Sequence, residues 1–89
     1  WLYAIHIKSI KNERSRDNFI KKLINKGVEC RPMFYPLNEM DVYSKYAKNE
    51  VFKNASDISK KSICLPTSYN LNSSDIDRIG KTILKLLEN

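Results

Sequence analysis

Three polar side chains stand close together in the stretch GVECRPMFYPLNEMDVY, residues 27–43: Arg31, Tyr35 and Asn38. Arginine presents a planar fork of donors of the geometry that carboxylates and phosphates accept. Tyrosine offers a hydroxyl at the end of an aromatic face, and asparagine an amide that both donates and accepts. Together they suit holding a polar or anionic ligand, and no residue of the chain is assigned a catalytic role. Pro32 and Pro36 enclose Met33, Phe34 and Tyr35. Proline fixes φ and lacks an N–H, so this segment is too stiff for a helix and too proline-rich for an inner strand. It reads as a loop, one whose prolines reduce the entropy lost when it meets a partner.

The elements on either side must hold that loop. Residues 2–8, LYAIHIK, alternate with Tyr3, Ile5 and Ile7 on one face, which predicts a half-buried strand. Ser15 is the expected N-cap of a helix over residues 16–26, with Asp17 in its first turn and Phe19, Ile20, Leu23 and Ile24 as its apolar stripe. Gly27 suits the left-handed position that closes it. A second strand is expected over residues 28–31, where Val28 and Cys30 alternate with Glu29 and Arg31. DVYSKYA and NEVFKNASDIS read as one or two short helices, the second with Val51, Phe52, Ala55 and Ile58 on one side. SICLP, residues 62–66, reads as a third strand. Ser73 or Ser74 is expected to cap a last helix with Ile76, Ile79, Ile83, Leu86 and Leu87 toward the core. Gly80 inside that helix costs about 1 kcal/mol relative to alanine, which points to close packing. The order β-α-β-α-β-α predicts a small two-layer α/β (α+β) sandwich over residues 1–89, a short three-stranded sheet with helices on one face. Its other face would lack a cover.

At 89 residues, 42% of them hydrophobic and 29% charged, the chain is one globular domain with no run near the roughly 18 apolar residues of a membrane span. It opens directly on a strand, without methionine, so we expect a piece of something longer whose missing part lies on the N-terminal side. Cys30 and Cys64 are two where a secreted domain of this size would carry more, and they read as small buried hydrophobes in the cytoplasm. With one histidine, His6, and no cysteine at ligand spacing, no metal site is expected. The net charge of +6 comes from 12 lysines and 4 arginines scattered mostly over the polar faces of the expected helices. That is a solvated surface more than an anion-binding one.

Several pieces in order resemble the small C-terminal domain of the DegT/StrS-type sugar-nucleotide aminotransferases. They are RDNFIKKLINKGVECRPMFYPL, then Tyr43, VFKNASDISKKSICLPTS and the closing SSDIDRIGKTILKLL. GVECRPMFYPL and LPTS are the specific parts, and the Arg-Pro-x-Phe-Tyr-Pro form is most similar to the perosamine-synthetase branch. The resemblance implies a pyridoxal-phosphate enzyme of fold type I, a homodimer that transfers an amino group, usually from glutamate, to a keto sugar on a nucleoside diphosphate. The resemblance implies perosamine-type sugar synthesis for surface polysaccharide. It also implies that the Schiff-base lysine belongs to a large domain preceding this chain, and none of the 12 lysines matches its motif. On this resemblance Arg31 would meet the diphosphate or a carboxylate, with Tyr35 and Asn38 completing a substrate-side wall. Met33 and Phe34 would fill the contact with the large domain. A scaffold role for Arg31, Tyr35 and Asn38 stays open. Many members carry histidine where this chain has Asn38, and proline near Asp41; an asparagine can hydrogen-bond there but not exchange protons.

A different class of function is a small basic nucleic-acid module. YSKYAKNEVFK interleaves Tyr43, Tyr46 and Phe52 with Lys45, Lys48 and Lys53, the ingredients that hold single strands. These aromatics lie at helical spacing, however, and no RNP-like pattern occurs, so nucleic acid and membrane are not expected partners.

Overall fold

A computed structural model describes residues 2–48 and 50–88 of the chain. Its elements run β1 (Tyr3–His6), α1 (Glu13–Asn25), β2 (Arg31–Pro32), a 3₁₀ turn (Leu37–Glu39), α2 (Asp41–Ala47), α3 (Lys53–Lys61), β3 (Ser62–Leu65) and α4 (Ser73–Leu87). Asn49, in the stretch expected to open the second of the middle helices, lies outside the described residues.

The first helix starts three residues earlier than its sequence predicts. Asn12, not Ser15, is the N-cap: its side-chain oxygen accepts from the Ser15 amide at 2.8 Å, satisfying one of the donors a first turn leaves open. Glu13 therefore takes the first-turn acidic place given to Asp17. Phe19, Ile20 and Leu23 are buried, but Ile24 is 51% exposed. The buried stripe is Arg16, Phe19, Ile20 and Leu23, an i, i+3, i+4, i+7 set. An arginine holds the stripe position that hydrophobicity alone assigned to Ile24. Gly27 has φ +82° and closes the helix as expected, with Val28 N–H donating back to Leu23 O at 2.9 Å.

Strand β3 is central, in the order β1-β3-β2, and both pairings are antiparallel. Pro32 can belong to β2 because β2 is an edge strand, where a missing N–H need face no partner. The expected strand over residues 28–31 shrinks to Arg31–Pro32; Val28 and Cys30 are buried, as their alternation predicts, but lie before the paired residues. Likewise β1 is shorter than residues 2–8, and Tyr3 is exposed rather than half-buried. β3 ends at Leu65, one residue before Pro66. Ile63 pairs with Ile5 on the face that joins Phe19, Leu23, Ile79 and Ile83 in the core. The opposite face carries Ala4, Cys64 and Arg31 in one row. Ala4 and Arg31 are exposed there on the edge strands, but the central strand is covered on this face too: Ser62 and Cys64 are buried, with Met33 Sδ 3.8 Å from the Cys64 sulfur.

Asn72, not Ser73 or Ser74, caps α4. Its side chain accepts from Asp75 N–H at 2.9 Å while its own amide donates to the Asp75 carboxylate at 3.1 Å, a capping box. Ile79 and Ile83 are buried and Leu86 packs on the core, but Ile76 and Leu87 are exposed. The apolar side assigned to α3 does not pack either: Val51 and Phe52 precede the helix, Ala55 and Ile58 are exposed, and Ser59 is its buried residue. What docks α3 is polar. Arg16, 5% exposed, donates from Nη1 to Ser59 O at 2.6 Å and from Nε to Asp17 at 3.0 Å.

Gly80 is not closely packed. A Cβ there would meet no atom within 4 Å apart from the helix's own backbone. Gly80→Ala is therefore expected to stabilise the domain by about 0.5–1 kcal/mol, through helix propensity and a less flexible unfolded chain. A denaturant midpoint that falls in the variant would restore the close-packing account.

Candidate functional site

The loop is fastened from beneath. Ser59 Oγ donates to Phe34 O at 2.8 Å, Met33 N–H donates to Ser62 O at 3.3 Å, and Met33 meets Cys64. The loop's backbone is thus tied to α3 and β3, while the side chains of Arg31, Phe34 and Tyr35 point into the open. Met33, half-buried, belongs to the domain's own packing.

Arg31 stands at the edge of the sheet, beside Cys64, with its side chain 81% exposed. Its guanidinium lies 3.7 Å from the equally exposed Glu29 carboxylate, too far for a hydrogen bond and readily screened. Its fork is available to a ligand. Asn38 sits in the 3₁₀ turn, half-buried, and lines a cleft of about 400 Å³ with Leu37, Tyr43, Tyr46 and Phe52. Arg31 and Tyr35 are not part of that lining. The structure therefore divides the three expected site residues, with Asn38 among aromatics and the other two on the exposed strand and loop. The Lys45 ammonium lies 5.2 Å from the Tyr46 ring centroid.

The titratable groups near this region are structural. Burial, and then the neighbouring Glu29 charge, push the Cys30 thiol above its ordinary value, so it stays protonated. Cys64 is also buried, and neither cysteine is in a disulfide. Asp57 is held below the usual carboxylate range, first by its hydrogen bond to Lys61 at 2.7 Å and then by His6 at 3.0 Å. The His6 contact ties α3 to β1, while the Lys61 contact lies within α3. Their contribution is present above the ordinary carboxylate range and is lost as pH falls through the lowered value. No group of three or more His, Cys, Asp or Glu among the described residues is placed to hold a metal ion, and no described helix is long and apolar enough to cross a membrane.

An apolar groove of about 410 Å³ was not foreseen. It runs between Tyr3, Leu65 and Pro66 on one side and Leu71, Ile76 and Gly80 on the other. The signal in the sequence was Gly80, whose missing side chain leaves the helix surface open instead of packed.

A sequence profile of the DegT/DnrJ/EryC1/StrS aminotransferase family matches residues 1–84. The chain belongs to that family. It is 33% identical over 79 residues to the GDP-perosamine synthase of Caulobacter vibrioides, which covers 89% of this chain but 21% of that protein. The fold is that of Helicobacter pylori PseC, an aminotransferase of pseudoaminic acid biosynthesis, with a TM-score of 0.80 and 23% identity over 98% of this chain. The PMP form of Spr1654, assigned as a sugar aminotransferase of Streptococcus pneumoniae, superposes equally well, with a TM-score of 0.80 at 21% identity. This chain spans 23% and 22% of those two structures, about a fifth of each relative's length. The three-stranded antiparallel sheet with helices is thus a fragment of the fold type I architecture of these enzymes.

Pyridoxal phosphate is the cofactor this family implies for its full-length proteins, and no described lysine stands in a buried pocket within this chain. A Schiff-base lysine is a desolvated amine, yet every lysine here is exposed except Lys61, which is half-buried and paired with Asp57. The one buried cation, among the described residues, is Arg16, whose donors are already taken.

Proposed function

We propose that the chain is the C-terminal small domain of a longer, dimeric, cytoplasmic aminotransferase. That enzyme moves an amino group from glutamate to a keto sugar on a nucleoside diphosphate, in perosamine-type synthesis for surface polysaccharide. The family match over residues 1–84, which includes the loop bearing Arg31 and Tyr35, carries this reading. A preceding large domain would supply the lysine and bind pyridoxal phosphate, and the cofactor would supply the amino-transfer chemistry. This chain's part is to hold substrate. The Arg31 fork pairs with the diphosphate or a carboxylate, and the Tyr35 hydroxyl and Asn38 amide add oriented hydrogen bonds. The apolar groove by Gly80 is the surface such a large domain would cover.

The test is a coupled assay on the full-length protein with a nucleoside-diphosphate 4-keto sugar. Release of 2-oxoglutarate from glutamate that depends on both the keto sugar and pyridoxal phosphate is the expected result. No 2-oxoglutarate with any nucleotide keto sugar tried would defeat the proposal. The gathering of Tyr43, Tyr46 and Phe52 on a helical element and the chain beyond it, not on a strand face, leaves a nucleic-acid module without its usual platform.

A further inference from the structure

Lys11, Lys53, Lys60 and Lys61 are separated in the sequence, yet the fold gathers them around one cleft of about 410 Å³. Lys11 comes from the segment before α1 and the other three from α3. Asp57 is the one carboxylate among the described lining residues, and it already pairs with Lys61 at 2.7 Å and His6 at 3.0 Å. Lys11, Lys53 and Lys60 are exposed, and none of them has an ion-pair partner among the described residues. Four ammonium groups against one carboxylate leave an excess of three positive charges in a concave site. Lysines spread singly over helix faces are merely solvated. Like charges that converge on a cleft repel one another and focus their field on an incoming anion.

We propose that this cleft binds a compact anion of two or three linked phosphate groups. A phosphate group carries roughly −1.5 to −2 charges near neutral pH, so two of them balance the excess. An ammonium is a point charge with rotatable donors, which suits phosphate oxygens approached from several sides. The cleft has no arginine among its described lining residues to grip a planar carboxylate through two parallel bonds. The half-buried Ser56 adds a neutral hydroxyl donor. No aromatic side chain is among those residues either, so the phosphates are recognised and a base attached to them is not.

The test is lysine footprinting of the full-length protein with an acetylating ester, read by peptide mass spectrometry, with and without tripolyphosphate. Lys11, Lys53 and Lys60 should react freely without the ligand and be protected several-fold with it. Lys21 and Lys22, exposed on α1, should react alike in both samples. GTP should protect the cleft lysines as well as tripolyphosphate does. Lys53→Gln combined with Lys60→Gln removes two exposed ion pairs to the ligand. Half-protection of Lys11 should then need roughly 2- to 30-fold more tripolyphosphate. The melting temperature of that double variant without ligand should hold or rise, since repulsion is relieved. Unreactive cleft lysines before any ligand is added, or protection no greater than at Lys21 and Lys22, overturns the proposal. So does Lys11 protection that the double variant leaves unchanged. Protection by GTP but not by tripolyphosphate overturns it in favour of base recognition, and stronger protection by polyglutamate overturns it in favour of an acidic protein segment.

Discussion

Arg31→Lys in the full-length protein is expected to raise KM for the nucleotide sugar and leave kcat near its original value. Lysine keeps the charge and loses the planar fork, so one charge-assisted hydrogen bond of a bidentate pair disappears. Such a bond contributes about 1–3 kcal/mol, or roughly 5- to 150-fold in kcat/KM. An interaction equally strong in ground and transition states appears in KM alone. The structure sharpens the contrast with a scaffold role. Arg31 is 81% exposed and lies 3.7 Å from an equally exposed Glu29, so the domain itself should lose little stability. The melting temperature should stay within about 2 °C, as for an ordinary surface substitution. An unchanged KM with a lowered melting temperature would remove Arg31 from the site.

The largest expected loss of stability lies at Arg16. It is 5% exposed, completes the buried stripe of α1 and holds α3 through the Ser59 carbonyl at 2.6 Å. Arg16→Ala removes the packing of a long side chain and strands a buried acceptor, at a combined cost of about 2–4 kcal/mol. For a domain of this size that is a fall of roughly 8–30 °C in melting temperature. Arg16→Lys should recover only part of it, since one ammonium cannot serve Ser59 O, Asp17 and Glu13 in their separate directions. Because Ser59 also donates to Phe34 O, the loop that carries Tyr35 should loosen with α3. Thermal melts followed by circular dichroism test this, and a fall of less than about 1 kcal/mol in Arg16→Ala would mean that the buried guanidinium is dispensable.

Element types were legible in the sequence where period and composition agreed. The strand at SICL, the stripe at Phe19, Ile20 and Leu23, and Gly27 as a helix stop all appear in the structure. Cap positions were misplaced because serine and asparagine compete for the same role within three residues, and at both α1 and α4 the asparagine wins. The Arg16 anchor was hidden for another reason. An arginine in a helical stripe looks like a boundary of the apolar face until an acceptor 43 residues away is brought beside it. The same long-range blindness concealed the contact of Asp57 with His6. Gly80 was misread because one missing side chain signals either a close approach or an open groove, and only the neighbouring element distinguishes them. At the loop, the sequence located the polar residues but not their division, since Asn38 lies in the 3₁₀ turn beside exposed aromatics while Arg31 follows the edge strand.

On the proposed reading, this domain serves a pyridoxal-phosphate enzyme whose lysine lies elsewhere in the protein. Borohydride reduction of the full-length protein, followed by peptide mapping, tests it most directly, because reduction fixes the cofactor to whichever lysine holds it. One pyridoxyl-lysine is expected, in a peptide outside residues 1–89. A pyridoxyl group on any of the 12 lysines within this chain, or no labelled lysine in a protein saturated with pyridoxal phosphate, would contradict it.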